Sequence, residues 1–148
     1  MKNIFISLSL LFCLKSVAQN ISIKDSLPIS KKYKKGILEN GLTYYLYNTK
    51  VTKKTASFYI IQNVGSVLEK ENQQGLAHFL EHMAFNGTEN FKEKGILNTL
   101  QKYGAVFGKD INAYTSFDET VYNINNIPVT EKIIDTCLLI LKDWSDYL

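Results

Sequence analysis

The chain has 148 residues, 45% hydrophobic and 21% charged, a balance that excludes a disordered or collagen-like chain and suits one ordinary globular domain with a real core. All 17 basic residues are lysine and the formal charge is only +3. Lys31, Lys32, Lys34, Lys35, Lys53 and Lys54 form no stripe, so they read as solvated positions and nucleic acid is not expected as a partner.

Residues 1–19 read as a secretory signal peptide. Lys2 gives the positive start, Ile4 to Leu14 a short apolar run, and Ser16-Val17-Ala18 the small residues of a cleavage site. The run is too short to span a bilayer, so no transmembrane segment is expected, and export to the periplasm or cell envelope is. Phe12 is too bulky for Cys13 to begin a lipoprotein. After cleavage Cys137 is the only thiol, which rules out an internal disulfide. Residues 20–32 are a polar lead-in containing Pro28.

Structured patterns begin at Tyr33. Glu39-Asn40-Gly41 is a turn signal between strands near 33–38 and 42–49. Ala56 to Val64 is a third strand, closed by Gly65-Ser66. Asn72 to Asn86 predicts a helix with Gly87 as a left-handed cap, and Lys92 to Tyr103 a second, stopped by Gly104. Val106 to Thr115 and Thr120 to Ile127 predict two strands around a turn at Phe117-Asp118. After Pro128, Thr130 caps a final helix whose buried side would carry Ile133, Ile134, Cys137, Leu138, Ile140 and Leu141. The order implies an α+β fold, a mostly antiparallel sheet with helices packed on one face.

The chemistry concentrates in Gly75-Leu76-Ala77-His78-Phe79-Leu80-Glu81-His82-Met83. His78 and His82 are the only two histidines of the chain, four residues apart, and on a helix they share a face. That spacing lets two imidazoles reach one metal ion, and zinc accepts such ligands. Glu81 leans toward the same face, where a carboxylate can take a proton from water and return it to a leaving amine. Leu76, Phe79, Leu80 and Met83 form a second stripe, expected to face the core. The same His pair would also suit hydrogen-bonded boundary histidines. The order His-x-x-Glu-His favours the inverted zinc-peptidase arrangement.

Three blocks in order widen the pattern: Gly65-Ser66-Val67-Leu68-Glu69, then Gly75 to Thr88, then Asn112-Ala113-Tyr114-Thr115-Ser116-Phe117-Asp118-Glu119-Thr120-Val121-Tyr122. Across residues 33–148 the chain resembles the N-terminal part of the catalytic domain of peptidase family M16 (pitrilysin/insulinase), particularly its large periplasmic bacterial members. The resemblance implies a zinc-dependent metalloendopeptidase acting on peptides or unfolded proteins. His78 and His82 would be zinc ligands and Glu81 the general base. Asn112 and Ala113 would lie on an edge strand that pairs with substrate, since such an edge offers unpaired backbone groups to a guest. Tyr114 and Tyr122 read as packing.

A catalytic zinc needs a third protein ligand. The resemblance implies a glutamate on a later helix, expected beyond Leu148, so the chain reads as an incomplete domain that lacks a second half or partner domain. Asp118, Glu119, Asp135 and Asp143 are local carboxylates, read as turn or solvated-face residues. The alternative is therefore a catalytically incomplete fragment that binds metal weakly or pairs with a complementary half. A minor third reading, a lyase acting on S-ribosylhomocysteine with a similar helix motif, would require Cys137 as a ligand; its place on an apolar stripe favours a buried small hydrophobe.

Overall fold

A computed structural model describes residues 30–146; the expected signal peptide and most of the lead-in lie outside them. Two compact units emerge, Met1–Asn48 and Thr49–Leu148.

Within the described part of the first unit, β1 (Tyr33–Ile37) pairs antiparallel with β2 (Thr43–Tyr47), Gly36 opposite Tyr44. The Asn40-Gly41 turn forms where the sequence places it. Asn40 Oδ1 accepts the Leu42 N–H at 3.1 Å, and Gly41 takes φ 86°.

The second unit holds a three-stranded antiparallel sheet in the order β3-β5-β4, with β3 Thr55–Gln62, β4 Ile111–Thr115 and β5 Thr120–Pro128. β4 is therefore an edge strand. Alternation puts Phe58 and Ile60 of β3, Ile111 and Ala113 of β4, and Tyr122 and Ile124 of β5 on the core side. Tyr59 and Ile61 point away and are exposed. The helices α1 (Leu76–Met83), α2 (Gly95–Gln101) and α3 (Glu131–Asp146) follow in chain order. Ala84 just after α1, Ile96 and Leu100 of α2, and Ile133, Cys137, Ile140 and Trp144 of α3 close the core. The fold is α+β, as expected.

Several boundaries move for identifiable reasons. The first helix begins at Leu76, not Asn72, because residues 71–73 form a 3-10 turn and Gly75 enters the helix at φ 88°. Gly87 is not its left-handed cap; the chain leaves the helix through Ala84 in right-handed geometry. The second helix starts late because Glu93 and Lys94 both take left-handed φ, 49° and 61°. Gly104 does stop it, at φ 86°. The fourth strand starts at Ile111, not Val106. Asp110 folds residues 106–110 into a turn, its carboxylate accepting the Val106 N–H at 3.0 Å and its N–H donating to Val106 O at 2.7 Å.

Two expectations about burial are overturned. On α3, Leu138 is 52% exposed, while Asp143 and Trp144, absent from the expected apolar stripe, are fully buried. Asp143 is no solvated-face residue: it receives the Thr88 hydroxyl at 2.5 Å, the Asn90 N–H at 2.9 Å and the Asn90 side-chain amide at 2.6 Å. Trp144 stacks on Tyr122 with ring centroids 5.0 Å apart and donates its indole N–H to Ala84 O at 3.2 Å. On α1, the stripe Leu76, Phe79, Leu80 and Met83 does not face the core; all four are exposed.

Candidate metal centre

Helix α1 is fixed at its start by a carboxylate eight positions before the first histidine's neighbour. Glu69 accepts the Ala77 N–H at 2.8 Å and the Gly75 N–H at 2.7 Å, two of the donors a helix start leaves without partners. These bonds, that from Ala77 first, hold the Glu69 carboxyl below the usual carboxylate range. Nothing in the sequence pattern marks Glu69 for this role, since the chain between it and the helix is irregular.

The segment carrying Glu69 is itself strapped to the β4–β5 turn. Ser66 N–H donates to Ser116 O at 3.1 Å and Val67 N–H to Phe117 O at 2.8 Å. The approach is so close that a Cβ on Gly65 would meet Ser116 O at 2.5 Å, which only glycine avoids. The turn Phe117-Asp118, expected from sequence, thus also supports the helix.

On α1 the three singled-out side chains separate by face. His78 and His82 are exposed, and their Nε2 atoms approach to 3.0 Å, with ring centroids 4.7 Å apart. Glu81 is the one buried residue of the helix, 8% exposed, and its Oε2 accepts the Thr115 hydroxyl at 2.7 Å. The inward face of α1 is thus made by Ala77 and Glu81 rather than by the leucines.

Two nitrogens bound to one tetrahedral zinc at about 2.0–2.1 Å each lie roughly 3.3 Å apart. The observed 3.0 Å between the two Nε2 atoms fits that requirement with a small opening of the pair. The donor set therefore suits zinc as two ligands of a site. Among the described residues no group of three or more His, Cys, Asp or Glu side chains is placed to hold a metal ion. Glu119 accepts the Tyr114 hydroxyl at 2.6 Å instead, and Asp143 is held by Thr88 and Asn90. Cys137 is fully buried in the core, and burial pushes its thiol up to about 11, so the thiolate a metal needs is disfavoured. That removes the lyase-like reading.

Asn112 is exposed and Ala113 half-buried on β4, and Ala113 N–H donates to Asn112 Oδ1 at 3.0 Å. α1 packs against this strand, so the histidine-bearing helix and the sheet edge belong to one substructure. Tyr122 is core, as expected, with burial and then the charge of Glu81 pushing its hydroxyl up to about 12. Tyr114 is not core: it is 49% exposed and held by Glu119, which raises its hydroxyl above the ordinary range. A cavity of about 340 Å³ opens beside the helix, with His78, Glu69, Thr115 and Phe117 among its walls.

The profile of the family described as Insulinase (Peptidase family M16) matches residues 44–146. The chain belongs to this peptidase family. It is 38% identical over 125 residues to the probable zinc protease PqqL of Escherichia coli, covering 84% of this chain and 13% of that protein. The crystal structure of the first half of the periplasmic protease PqqL from Escherichia coli superposes with a TM-score of 0.79 at 36% identity, over 83% of this chain and 26% of that one. A protease from Helicobacter pylori superposes at 0.69 with 29% identity, over 79% of this chain and 26% of that one. The chain thus spans a small part of the relatives it matches.

Proposed function

We propose that this M16 chain carries the metal-binding and proton-transferring part of a zinc-dependent metalloendopeptidase acting on peptides or unfolded proteins. The observation that carries the reading is the pair of Nε2 atoms 3.0 Å apart on one helix that also holds a buried carboxylate, Glu81. His78 and His82 would hold the zinc. Bound there, zinc supplies a Lewis acid that acidifies water and polarises a carbonyl. Glu81 takes a proton from the attacking water and delivers it to the leaving amine. Asn112 and Ala113, at the free edge of β4, receive an extended substrate as an added strand.

The third ligand comes from outside the described residues, from a further segment or partner domain. Two facts support this: the described residues hold no third metal-ligating side chain near the pair, and the relatives are several times longer. Residues 33–148 are the N-terminal portion of the peptidase domain. Residues 1–19 act as its export signal, placing the protein in the periplasm or cell envelope. In support, PqqL is a periplasmic protease, and among the described residues no helix is long and apolar enough to cross a membrane.

The test is zinc content and peptide hydrolysis of the protein that carries this chain, beside Glu81→Gln. The variant should keep its zinc and lose on the order of 10³-fold in turnover, the middle of the range for a general base. Hydrolysis that survives the substitution would remove Glu81 from the reaction.

A further inference from the structure

We propose that Thr115 is a positioning residue for Glu81: its hydroxyl, donated to Oε2, fixes the orientation in which the carboxylate works. The inference deepens the peptidase reading and rests on it.

The side chain of Glu81 has three rotatable bonds and leaves a helix, so nothing in α1 itself holds its carboxylate in one place. A general base must sit within hydrogen-bond reach of its proton, and geometry comes before acidity. Among the described residues, the one side chain that donates to Glu81 is Thr115, at 2.7 Å. A hydrogen bond to a carboxylate is one of the stronger kinds and strongly directional. It engages Oε2, and no group among the described residues donates to Oε1, the oxygen proposed to take the proton being moved.

The donor is held in turn. Thr115 ends β4 opposite Thr120 of β5, and Thr120 is 3% exposed. The Thr120 hydroxyl donates to Val64 O at 2.8 Å and stands 3.4 Å from the Thr115 hydroxyl. With its own proton committed to Val64 O, Thr120 offers its oxygen as a neighbour and does not compete for Glu81. The next residue closes the turn, Ser116 N–H donating to Glu119 O at 2.8 Å, and Ser116 O anchors the Gly65–Val67 strap. Thr115 also lines the cavity of about 340 Å³ whose wall includes His78. One hydroxyl, clamped at the end of a paired strand, thus meets both the carboxylate and the space beside the first histidine. A rigid support of this kind is what a reacting group needs to stay within a fraction of an ångström of its working position.

The competing explanation is packing: the methyl group of Thr115 fills space and the hydroxyl is incidental. Thr115→Val keeps shape and removes the hydroxyl, whereas Thr115→Ser keeps the hydroxyl and removes the methyl. Three readouts on the zinc-loaded protein separate the cases: zinc content, kcat and KM taken apart, and a crystal structure of each variant. Thr115→Val should lower kcat by about tenfold, the size of one charge-assisted hydrogen bond, with KM and zinc content unchanged. Its Glu81 carboxylate should leave the observed position. Thr115→Ser should return kcat to near the parent value and restore that position.

A Thr115→Val protein with undiminished kcat or an unmoved Glu81 overturns the proposal, as does a Thr115→Ser protein as impaired as Thr115→Val. A parent protein that binds zinc but hydrolyses no peptide sinks the peptidase reading instead. The crystal structures still decide whether Thr115 holds Glu81.

Discussion

Helix α3 buries Ile133, Cys137, Ile140 and Trp144 completely, whereas α1 leaves Leu76, Phe79, Leu80 and Met83 between 41% and 61% exposed. Both helices carry an apolar stripe at helical spacing. α3 is held by that stripe, lying across β3 and β5 with its aromatic end stacked on Tyr122. α1 is held by polar bonds: Glu69 at its first N–H groups, Glu81 to Thr115, and the Trp144 indole to Ala84 O just past its end. A stripe says that a helix has an apolar side, not that the fold covers it. The contrast also separates duties. The helix that stabilises the unit carries none of the side chains proposed for the chemistry, and the helix proposed to carry them contributes little to the core.

The largest effect that would sharpen this contrast is Trp144→Ala. Removing a fully buried indole should cost about 3–5 kcal/mol, read from urea unfolding, while Phe79→Ala on the exposed stripe should stay within about 0.5 kcal/mol. Comparable losses would mean that α1 is anchored by apolar burial after all.

Next comes Asp143→Asn, which puts an amide N–H where Thr88 and Asn90 already donate and should cost about 2 kcal/mol. Burial alone would raise the Asp143 carboxyl, but the bonds from Thr88 and Asn90 outweigh it and hold the group below its ordinary range. The sign follows. A carboxylate with a depressed folded value contributes stability that is whole above the ordinary carboxylate range, near pH 4, and is lost as pH falls through the folded value. Unfolding midpoints taken below pH 4 should therefore fall more steeply in the parent than in Asp143→Asn. Parallel profiles would remove the carboxylate from the account.

The smallest effect belongs to the start of α1. Glu69→Gln should leave global stability nearly unchanged and speed amide hydrogen exchange at Gly75 and Ala77, the two donors it satisfies. Lowering the pH of the parent through the depressed value of Glu69 should reproduce that exchange pattern. Unchanged exchange at both positions would mean that the helix start does not depend on the carboxylate.

Much of the fold was legible because local signals were strong. Asn40-Gly41, Gly104 and the turn at Phe117-Asp118 each mark a backbone reversal with its own chemistry, and the strand and helix types follow from periods of two and 3.6. Boundaries slipped where a distant or unusual partner set them. Glu69 decides where α1 starts, Asp110 delays β4, and left-handed Glu93 and Lys94 shorten α2. The burial of Asp143 is not legible in the sequence because a buried aspartate has no local signature; its partners Thr88 and Asn90 lie more than 50 residues away.

The sequence by itself determined the motif: two histidines and a glutamate in the order His-x-x-Glu-His, with helical spacing alone bringing the two histidines onto one face. It also determined the family, through three ordered blocks of residues. Only the tertiary structure decided which oxygen of Glu81 is engaged and by what, that β4 is the sheet's edge, and that the apolar side of α1 faces outward. Those outcomes depend on which strand lies next to which helix. Contacts such as Glu81 to Thr115, 34 residues apart, arise only when the sheet closes over the helix.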